Sequence, residues 1–217
     1  MARIAVIDYD MGNLHSVCKA LEQVGGEPFI THDAEAIKQA DGILLPGVGS
    51  FDPAMQNLRS RQLQAPIRAA IASGRPFLGI CLGLQILFDG SDEGSEPGLG
   101  IVPGRVKRFS SEPNLTIPHM GWNQLAMTQA DCDFWQGLGE SPWMYFVHSF
   151  YVEPIDPAVV SATTTHGNQT VAAAIAQGNL WAAQFHPEKS STAGLKLLSN
   201  FVVQVQQSVP QLSLTPL

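Results

Sequence analysis

Residues 76–83 read PFLGICLG, an apolar run that ends in a cysteine between two glycines. Pro76–Ile80 has the pattern of a short buried strand, and Gly79 and Gly83 allow the backbone to turn tightly into a following helix. A cysteine in such an elbow stands at the carboxyl end of its strand, where the positive end of the helix favours the thiolate. Taken alone, the segment fits both a nucleophilic Cys81 and a small buried cysteine in a turn.

The chain before this segment alternates strand and helix patterns. The strands are expected at Arg3–Asp8, Pro28–Thr31 and Gly42–Leu45, and the helices from Leu14 to Val24 after an Asn13 cap, at Ala34–Ala40, and at Pro53–Ser73 with a break or kink at Pro66. This alternation predicts βαβ units, and therefore an α/β fold with a mainly parallel central sheet flanked by helices.

The second half of the chain is richer in strand patterns. Strands are expected at Gly104–Phe109, Gly121–Leu125, Met144–Val152, Val171–Ala176 and Leu180–Phe185, with a hairpin loop at 177–179 and a closing helix at Thr192–Val205. No Asp, Glu, Lys or Arg occurs between Pro157 and Pro187. We interpret that stretch as an inner hairpin, with burial under a partner chain as the alternative. Because no repeat or low-complexity linker interrupts the chain, we expect one domain over residues 1–217.

The composition excludes several classes of protein. The chain has 12 Lys and Arg against 19 Asp and Glu, a net charge of −7, whereas binders of nucleic acid or anionic membranes need a basic face. The most apolar stretch, residues 76–88, is shorter than the roughly 20 residues of a membrane span, and no signal sequence is visible. Three cysteines, Cys18, Cys81 and Cys132, cannot form a disulfide framework. We therefore expect a soluble, cytoplasmic protein that binds neither nucleic acid nor membrane.

A histidine and a glutamate follow the strand expected at Leu180–Phe185, in the segment QFHPE (residues 184–188). Cysteine nucleophiles need an imidazole that accepts the thiol proton and a third group that orients the imidazole. A histidine near a strand end is by itself more often a surface or capping residue. Cys81, His186 and Glu188 together, each at a strand end, favour a catalytic triad.

The segment PGVG (residues 46–49) also follows an expected strand. Glycines on both sides of Val48 would let its N–H point at a developing oxyanion, together with the N–H of Leu82 after the nucleophile. An ordinary glycine-rich turn is the simpler alternative. A phosphate-binding loop does not fit, since no Lys-Ser or Lys-Thr pair follows.

These three segments, in this order and spacing, resemble the class I (triad) glutamine amidotransferases over the whole chain. The resemblance implies a flavodoxin-like fold with a β-rich second half, no metal and no other cofactor. It also implies that Cys81 attacks the carboxamide of glutamine, that His186 transfers the proton and that Glu188 orients His186. The oxyanion segment would comprise Gly47, Val48 and Leu82, and the glutamine contacts would be made by Gly49, Gln85, Ser149 and Phe150.

Three further segments narrow the resemblance to the amidotransferase subunits of imidazole glycerol phosphate synthases: IDYDMGNL (7–14), PHMGWN (118–123) and YFVHSF (145–150). Leu84 and Lys189-Ser190 agree with that group, whereas Asp10 stands where glycine is expected. The resemblance implies a heterodimer in which ammonia passes to a (β/α)8-barrel cyclase that makes imidazole glycerol phosphate and aminoimidazole carboxamide ribotide for histidine biosynthesis.

Two alternatives remain open from the sequence. The chain could supply ammonia to another synthase, of the anthranilate or aminodeoxychorismate type, or it could be a non-catalytic regulatory subunit on the same fold. If the cyclase is the partner, we expect Asn13, Met120 and Trp122 to meet it and to bias the peptide at Val48 toward its active orientation. A core position for Trp122 is the alternative.

Overall fold

The first half of the chain forms the parallel part of the fold. The structure, a computed structural model, describes residues 2–113 and 115–212. Its first elements are β1 (Arg3–Ile7), α1 (Leu14–Gln23), β2 (Glu27–Thr31), α2 (Ala34–Gln39), β3 (Gly42–Gly47), α3 (Phe51–Ser60), α4 (Gln64–Ala72), β4 (Phe77–Cys81) and α5 (Leu82–Gln85). The strands pair in the order β2-β1-β3-β4, all parallel, which confirms the expected βαβ arrangement.

The central strands are apolar throughout because helices cover both faces of the sheet. All residues of β3 and β4 are buried, as are all but the first of β1. Alternate residues serve opposite faces: Ile7 and Leu45 belong to one core cluster, and Val6 and Leu44 belong to the other. A layered α/β core therefore surrounds the strand ends at which the site is expected.

The second half extends this sheet with antiparallel strands. Its elements are β5 (Gly90–Ser91), β6 (Gly104–Arg108), β7 (His119–Gln124), β8 (Ala126–Met127), β9 (Trp143–His148), β10 (Phe150–Pro154), β11 (Val160–His166), β12 (Gln169–Gln177), β13 (Leu180–Ala183) and α6 (Ser191–Leu212), with 3-10 turns at Asp133–Trp135, Pro157–Val159 and Pro187–Lys189. β13 lies parallel to β4, and β12, β10, β6 and β5 follow it outward, with β11 and β8 branching from β12. The β7–β9 pair forms a separate two-stranded ribbon.

The charge-free stretch forms an inner hairpin, as we expected. β11 and β12 pair antiparallel, six consecutive residues of β12 are buried, and β12 turns into β13 through Gly178 and Asn179. β11 itself is absent from the sequence prediction, because its Ser-Ala-Thr-Thr-Thr run lacks the large apolar residues that mark a strand.

Two predicted elements are divided in the structure. The helix expected at Pro53–Ser73 breaks at Gln62, whose φ of +57° cannot continue a helix, and Pro66 lies in the first turn of α4, where its missing N–H costs nothing. The strand expected at Met144–Val152 divides at Ser149 into β9 and β10, which belong to different sheets. Among the helices of the described residues, none has the length and apolar character needed to cross a membrane.

Candidate active site

The sharp turn between β4 and α5 presents Cys81 at the edge of the sheet. Cys81 ends β4 with a φ of +56°, in the left-handed region that residues other than glycine rarely adopt. Such strain is typical of a nucleophile held on an elbow. A Cβ at Gly83 would lie 1.9 Å from the carbonyl oxygen of Leu45, so glycine is required for α5 to pack this closely on β3. Because α5 has only four residues, its dipole favours the thiolate less than the full helix expected from the sequence would.

The turn after β13 brings a histidine and a glutamate to the same edge. β13 pairs in parallel with β4, so their carboxyl ends lie side by side. The Nδ1 of His186 lies 2.8 Å from Oε1 of Glu188, and the side chains are only 3% and 1% exposed. A carboxylate can only accept here, so Nδ1 carries the proton and Nε2 is left for the reaction. Nε2 has no hydrogen-bond partner among the residues that the structure describes.

The surroundings of His186 favour its protonated form. Burial lowers the pKa of the imidazole, but the neighbouring Cys81 and Glu188 outweigh burial and raise that pKa from 6.5 to about 9. An imidazole of this basicity can take the proton of an adjacent thiol. The pair therefore suits nucleophilic attack by sulfur.

One pocket collects most of the predicted site residues. Its walls include eight of them, Val48, Gly49, Cys81, Leu82, Gln85, Ser149, Phe150 and His186, together with Glu93, Pro118, Val147 and His148. Glu188 lines no part of this pocket and reaches it through His186. Gly47 lies beneath the wall, where a Cβ would lie 2.4 Å from the hydroxyl of Tyr9 and 2.8 Å from Cβ of Leu82.

Comparison with known proteins gives the same picture. The family model described as glutamine amidotransferase class-I matches residues 5–205. The chain belongs to the class I glutamine amidotransferase family.

Curated relatives of this amidotransferase are similar along its whole length. The imidazole glycerol phosphate synthase subunit HisH of Gloeothece citriformis is 68% identical over 206 residues, which cover 95% of this chain and 98% of that protein. The subunit of the same name from Nostoc punctiforme is 64% identical over 210 residues, covering 97% of this chain and 100% of that protein.

Solved structures share the fold of this amidotransferase. PurLQS from Thermotoga maritima superposes with a TM-score of 0.72 at 22% identity, covering 96% of this chain and 99% of that chain. A crystal structure of a glutamine amidotransferase also gives 0.72, at 20% identity, covering 94% of this chain and 98% of that chain. At such identities the likeness shows the α/β fold with its additional strands.

The expected oxyanion donor of the amidotransferase is engaged elsewhere. The N–H of Val48 donates to the carbonyl oxygen of Met11 at 2.9 Å. Met11 lies in the turn between β1 and α1, so that turn fixes the peptide that joins Gly47 to Val48. An N–H bonded in this way is not available to a substrate oxygen. The peptide would have to rotate before Val48 could act as expected, and the φ of +100° at Gly49, which glycine tolerates, lies directly beside it.

The residues expected at a partner interface lie outside the core. Met120 and Trp122 are 63% and 49% exposed on the outer face of the β7–β9 ribbon, and Trp143 on the same face is 53% exposed. The alternative of a core position for Trp122 is therefore wrong. Asn13 stands directly before α1, but its side chain makes no capping hydrogen bond.

Asp10 lies in the same β1–α1 turn and shows why glycine is expected there. Its φ is +66°, a conformation that aspartate tolerates better than most residues. The backbone N–H of Asp10 donates to the carboxylate of Asp8, and its own carboxylate pairs with Arg61.

Two buried side chains were not assigned a role from the sequence: Gln184, which lies beside Cys81, and His148, which lies in the pocket wall. Gln184 lies in the QFHPE segment, in which the sequence pattern indicates roles for His186 and Glu188 only. The Nε2 of Gln184 lies 3.7 Å from Sγ of Cys81, and its Oε1 accepts from Nε2 of Gln85 at 3.1 Å. Only the fold brings these residues together, since Gln184 and Cys81 are about a hundred positions apart.

His148 belongs to a buried chain of polar contacts that begins on the ribbon. Its Nδ1 lies 2.8 Å from the carbonyl oxygen of Phe150, which can only accept, so Nδ1 carries the proton. The Nε2 of His148 then accepts from Nδ1 of His119 at 3.0 Å, and Nε2 of His119 accepts from Asn123 at 3.1 Å. Both rings are held neutral: burial, with the neighbouring histidines, lowers the pKa of His119 to about 4 and that of His148 to about 3.

The two other cysteines lie away from the pocket. Cys18 and Cys132 are half-buried, unpaired and packed against the core. Burial raises the pKa of both thiols, which keeps them protonated. Within the described part of the chain, no three His, Cys, Asp or Glu side chains are grouped to hold a metal ion.

Proposed function

We propose that this protein is the glutamine-hydrolysing subunit of an imidazole glycerol phosphate synthase, acting in the cytoplasm as one domain over residues 1–217. The observation that carries the proposal is the convergence of the strained Cys81 elbow and the buried His186–Glu188 pair on one pocket. The imidazole glycerol phosphate synthase subunits at 68% and 64% identity support this synthase over the anthranilate or aminodeoxychorismate type. Retention of the whole triad argues against a non-catalytic regulatory subunit.

The chemistry proceeds in two halves. The thiol of Cys81 passes its proton to Nε2 of His186, and sulfur attacks the carboxamide carbon of glutamine. The imidazolium returns the proton to the nitrogen, which leaves as ammonia, and a γ-glutamyl thioester remains. Water then attacks the thioester with His186 as base, which releases glutamate and restores the thiol. Glu188 keeps the imidazole in the tautomer that both halves need.

The other pocket residues hold the substrate and its developing charge. The amide of Leu82 and the rotated amide of Val48, with Gly47 giving room for the rotation, would bind the oxyanion. Gly49, Ser149 and Phe150 would contact the amino-acid end of the glutamine substrate. The side-chain nitrogen of Gln85 is committed to Phe150 and Gln184, so its oxygen remains for the substrate amine.

The contact between Val48 and Met11 offers a reason for dependence on a partner. While Met11 holds the N–H of Val48, one oxyanion donor is missing, and the loss of such a donor costs roughly 10²–10³ in turnover. We place the partner, a (β/α)8-barrel cyclase, against Asn13, Met120 and Trp122. Contact beside the β1–α1 turn would release Val48 and allow hydrolysis when the cyclase is ready for ammonia.

The test is to measure glutamine hydrolysis by the isolated chain, by its complex with a barrel cyclase subunit, and by that complex with a cyclase-substrate analogue bound. We expect a stepwise rise, and glutamine-dependent formation of imidazole glycerol phosphate by the complex. The rise should be lost in Val48→Pro, which has no N–H to donate. Equal rates in all three states would contradict the gating proposal, and product formation only with an anthranilate-type synthase would contradict the assignment of the partner.

A further inference from the structure

Gln184 is held rigidly against the nucleophile. Its side chain is fully buried, and its backbone N–H donates to the carbonyl oxygen of Ala173 in β12 at 2.8 Å. Its side-chain amide lies between Cys81 and Gln85.

The orientation of the Gln184 amide follows from the carbonyl group of Phe150, to which Gln184 is connected through Gln85. The oxygen of Phe150 can only accept, so the group of Gln85 that lies 3.1 Å away must be its NH₂. The same NH₂ lies 3.1 Å from Gln184, which must therefore present its oxygen to Gln85. The NH₂ of Gln184 is then directed at Sγ of Cys81, 3.7 Å away.

We propose that Gln184 is a further catalytic residue of the glutaminase, whose amide N–H donates to Sγ of Cys81 and stabilises the thiolate. The proposal rests on the function proposed above and deepens it. The thiolate forms twice in each turnover, when sulfur gives up its proton before attack and when it leaves the thioester. His186 is protonated at both moments but must deliver its proton to the departing ammonia in between. The amide donor of Gln184 cannot be titrated and stays in place throughout.

Gln184 also connects the nucleophile to the wall of the substrate pocket. Because Gln85 bonds both Gln184 and the carbonyl of Phe150, sulfur and the pocket wall are held by one chain of contacts. A residue that only fills space would not need a donor at this position. A donor role and a space-filling role for Gln184 predict different reactivity of the Cys81 thiol.

The experiment compares Gln184→Met and Gln184→Glu in the complex with the cyclase. Methionine keeps the length and removes the donor, whereas glutamate keeps the shape and presents a negative charge to the thiolate. Gln177→Glu is the matched control, because Gln177 is exposed at the end of β12. Alkylation of Cys81 by iodoacetamide is followed across pH by mass spectrometry of the Cys81 peptide, which separates it from Cys18 and Cys132. Hydrolysis of glutamine and ammonia-dependent synthesis are measured on the same samples.

We expect Gln184→Met to lower both kcat for glutamine and the alkylation rate of Cys81 at pH 7 by about 10-fold, which corresponds to the loss of a hydrogen bond to a charged group. Gln184→Glu should lower both further and move the alkylation profile to higher pH, while ammonia-dependent synthesis stays at the wild-type rate and Gln177→Glu changes nothing. Wild-type alkylation profiles in both Gln184 variants would overturn the proposal, as would an equal loss of ammonia-dependent synthesis, which would show a structural role. Alkylation does not require glutamine hydrolysis. An inactive wild-type complex would therefore refute the proposed function, while the alkylation profiles would still show whether Gln184 stabilises the thiolate.

Discussion

Replacing Glu188 by glutamine removes the charge beside His186, the proposed catalytic base, and keeps the shape of the side chain. The carboxylate and imidazole are both almost completely buried and 2.8 Å apart, so water cannot substitute for the lost charge. The amide oxygen can still accept from Nδ1 of His186. We therefore expect Glu188→Gln to fold and to bind the cyclase while losing most of its glutaminase activity.

The size of the loss follows from the environment of His186. Its pKa is raised from 6.5 to about 9, and each unit corresponds to about 1.4 kcal/mol, so the imidazolium is favoured by roughly 3 kcal/mol. Cys81 and Glu188 together supply at least this amount, with Cys81 the larger contributor, because burial acts in the opposite direction. An amide can also admit the wrong tautomer, an effect that costs about 10⁴-fold in the Ser-His-Asp triad. We expect turnover to fall by about 10²–10⁴-fold.

The assay is steady-state glutamine hydrolysis by the complex, with ammonia-dependent synthesis as the measure of an intact cyclase. Glu153→Gln is the matched control, since Glu153 is exposed on β10, and it should match the wild type. Retention of more than about a tenth of the wild-type turnover in Glu188→Gln would refute the reasoning, because the carboxylate would then not be what prepares the base.

Two further predictions concern stability. Gly83→Ala should lower the free energy of unfolding in urea by about 3 kcal/mol or more, because its Cβ would lie 1.9 Å from a backbone carbonyl oxygen. Gly74→Ala has open space around its Cβ but a φ of +81°, and should cost about 1–2 kcal/mol. Equal costs for the two variants would contradict the packing of the elbow. Stability should be greatest near pH 6.5: below it, stability falls as His119 and His148, whose pKa values are lowered to about 4 and 3, are protonated more readily in the unfolded chain. Above it, stability falls through pH 9 as His186, whose pKa is raised to about 9, loses its proton. Unfolding midpoints from pH 4.5 to 9.5 test this, and His148→Gln should flatten the acid side alone.

The proposed catalytic triad can be located from the sequence because each part of it is a local signal. Cys81 lies between glycines at a strand end, and His186 and Glu188 follow another strand end two residues apart. Parallel strands place such ends at one edge of the sheet, so their meeting follows from the fold class. The strands β1, β3 and β4 are also predictable from a local signal, because a strand covered on both faces is apolar throughout.

The parts that escaped prediction depend on contacts between distant residues or on small differences in energy. The contacts of Gln184 with Cys81, and of His148 with His119, exist only in the register of the folded sheets. The N–H of Val48 donates to the carbonyl oxygen of Met11, a contact between two separate turns that the PGVG segment alone does not indicate. The break at Gln62 has no proline or glycine to mark it, because a single left-handed residue ends the helix there.

The most direct test of the proposed division of labour is Cys81→Ala in the complex with the cyclase. Synthesis of imidazole glycerol phosphate is measured with glutamine and, separately, with ammonium salt as the nitrogen source. If Cys81 generates the ammonia and the partner consumes it, synthesis from glutamine is abolished while synthesis from ammonia continues at the wild-type rate. Synthesis from glutamine that survives the substitution would contradict the central claim that Cys81 is the nucleophile of this amidotransferase.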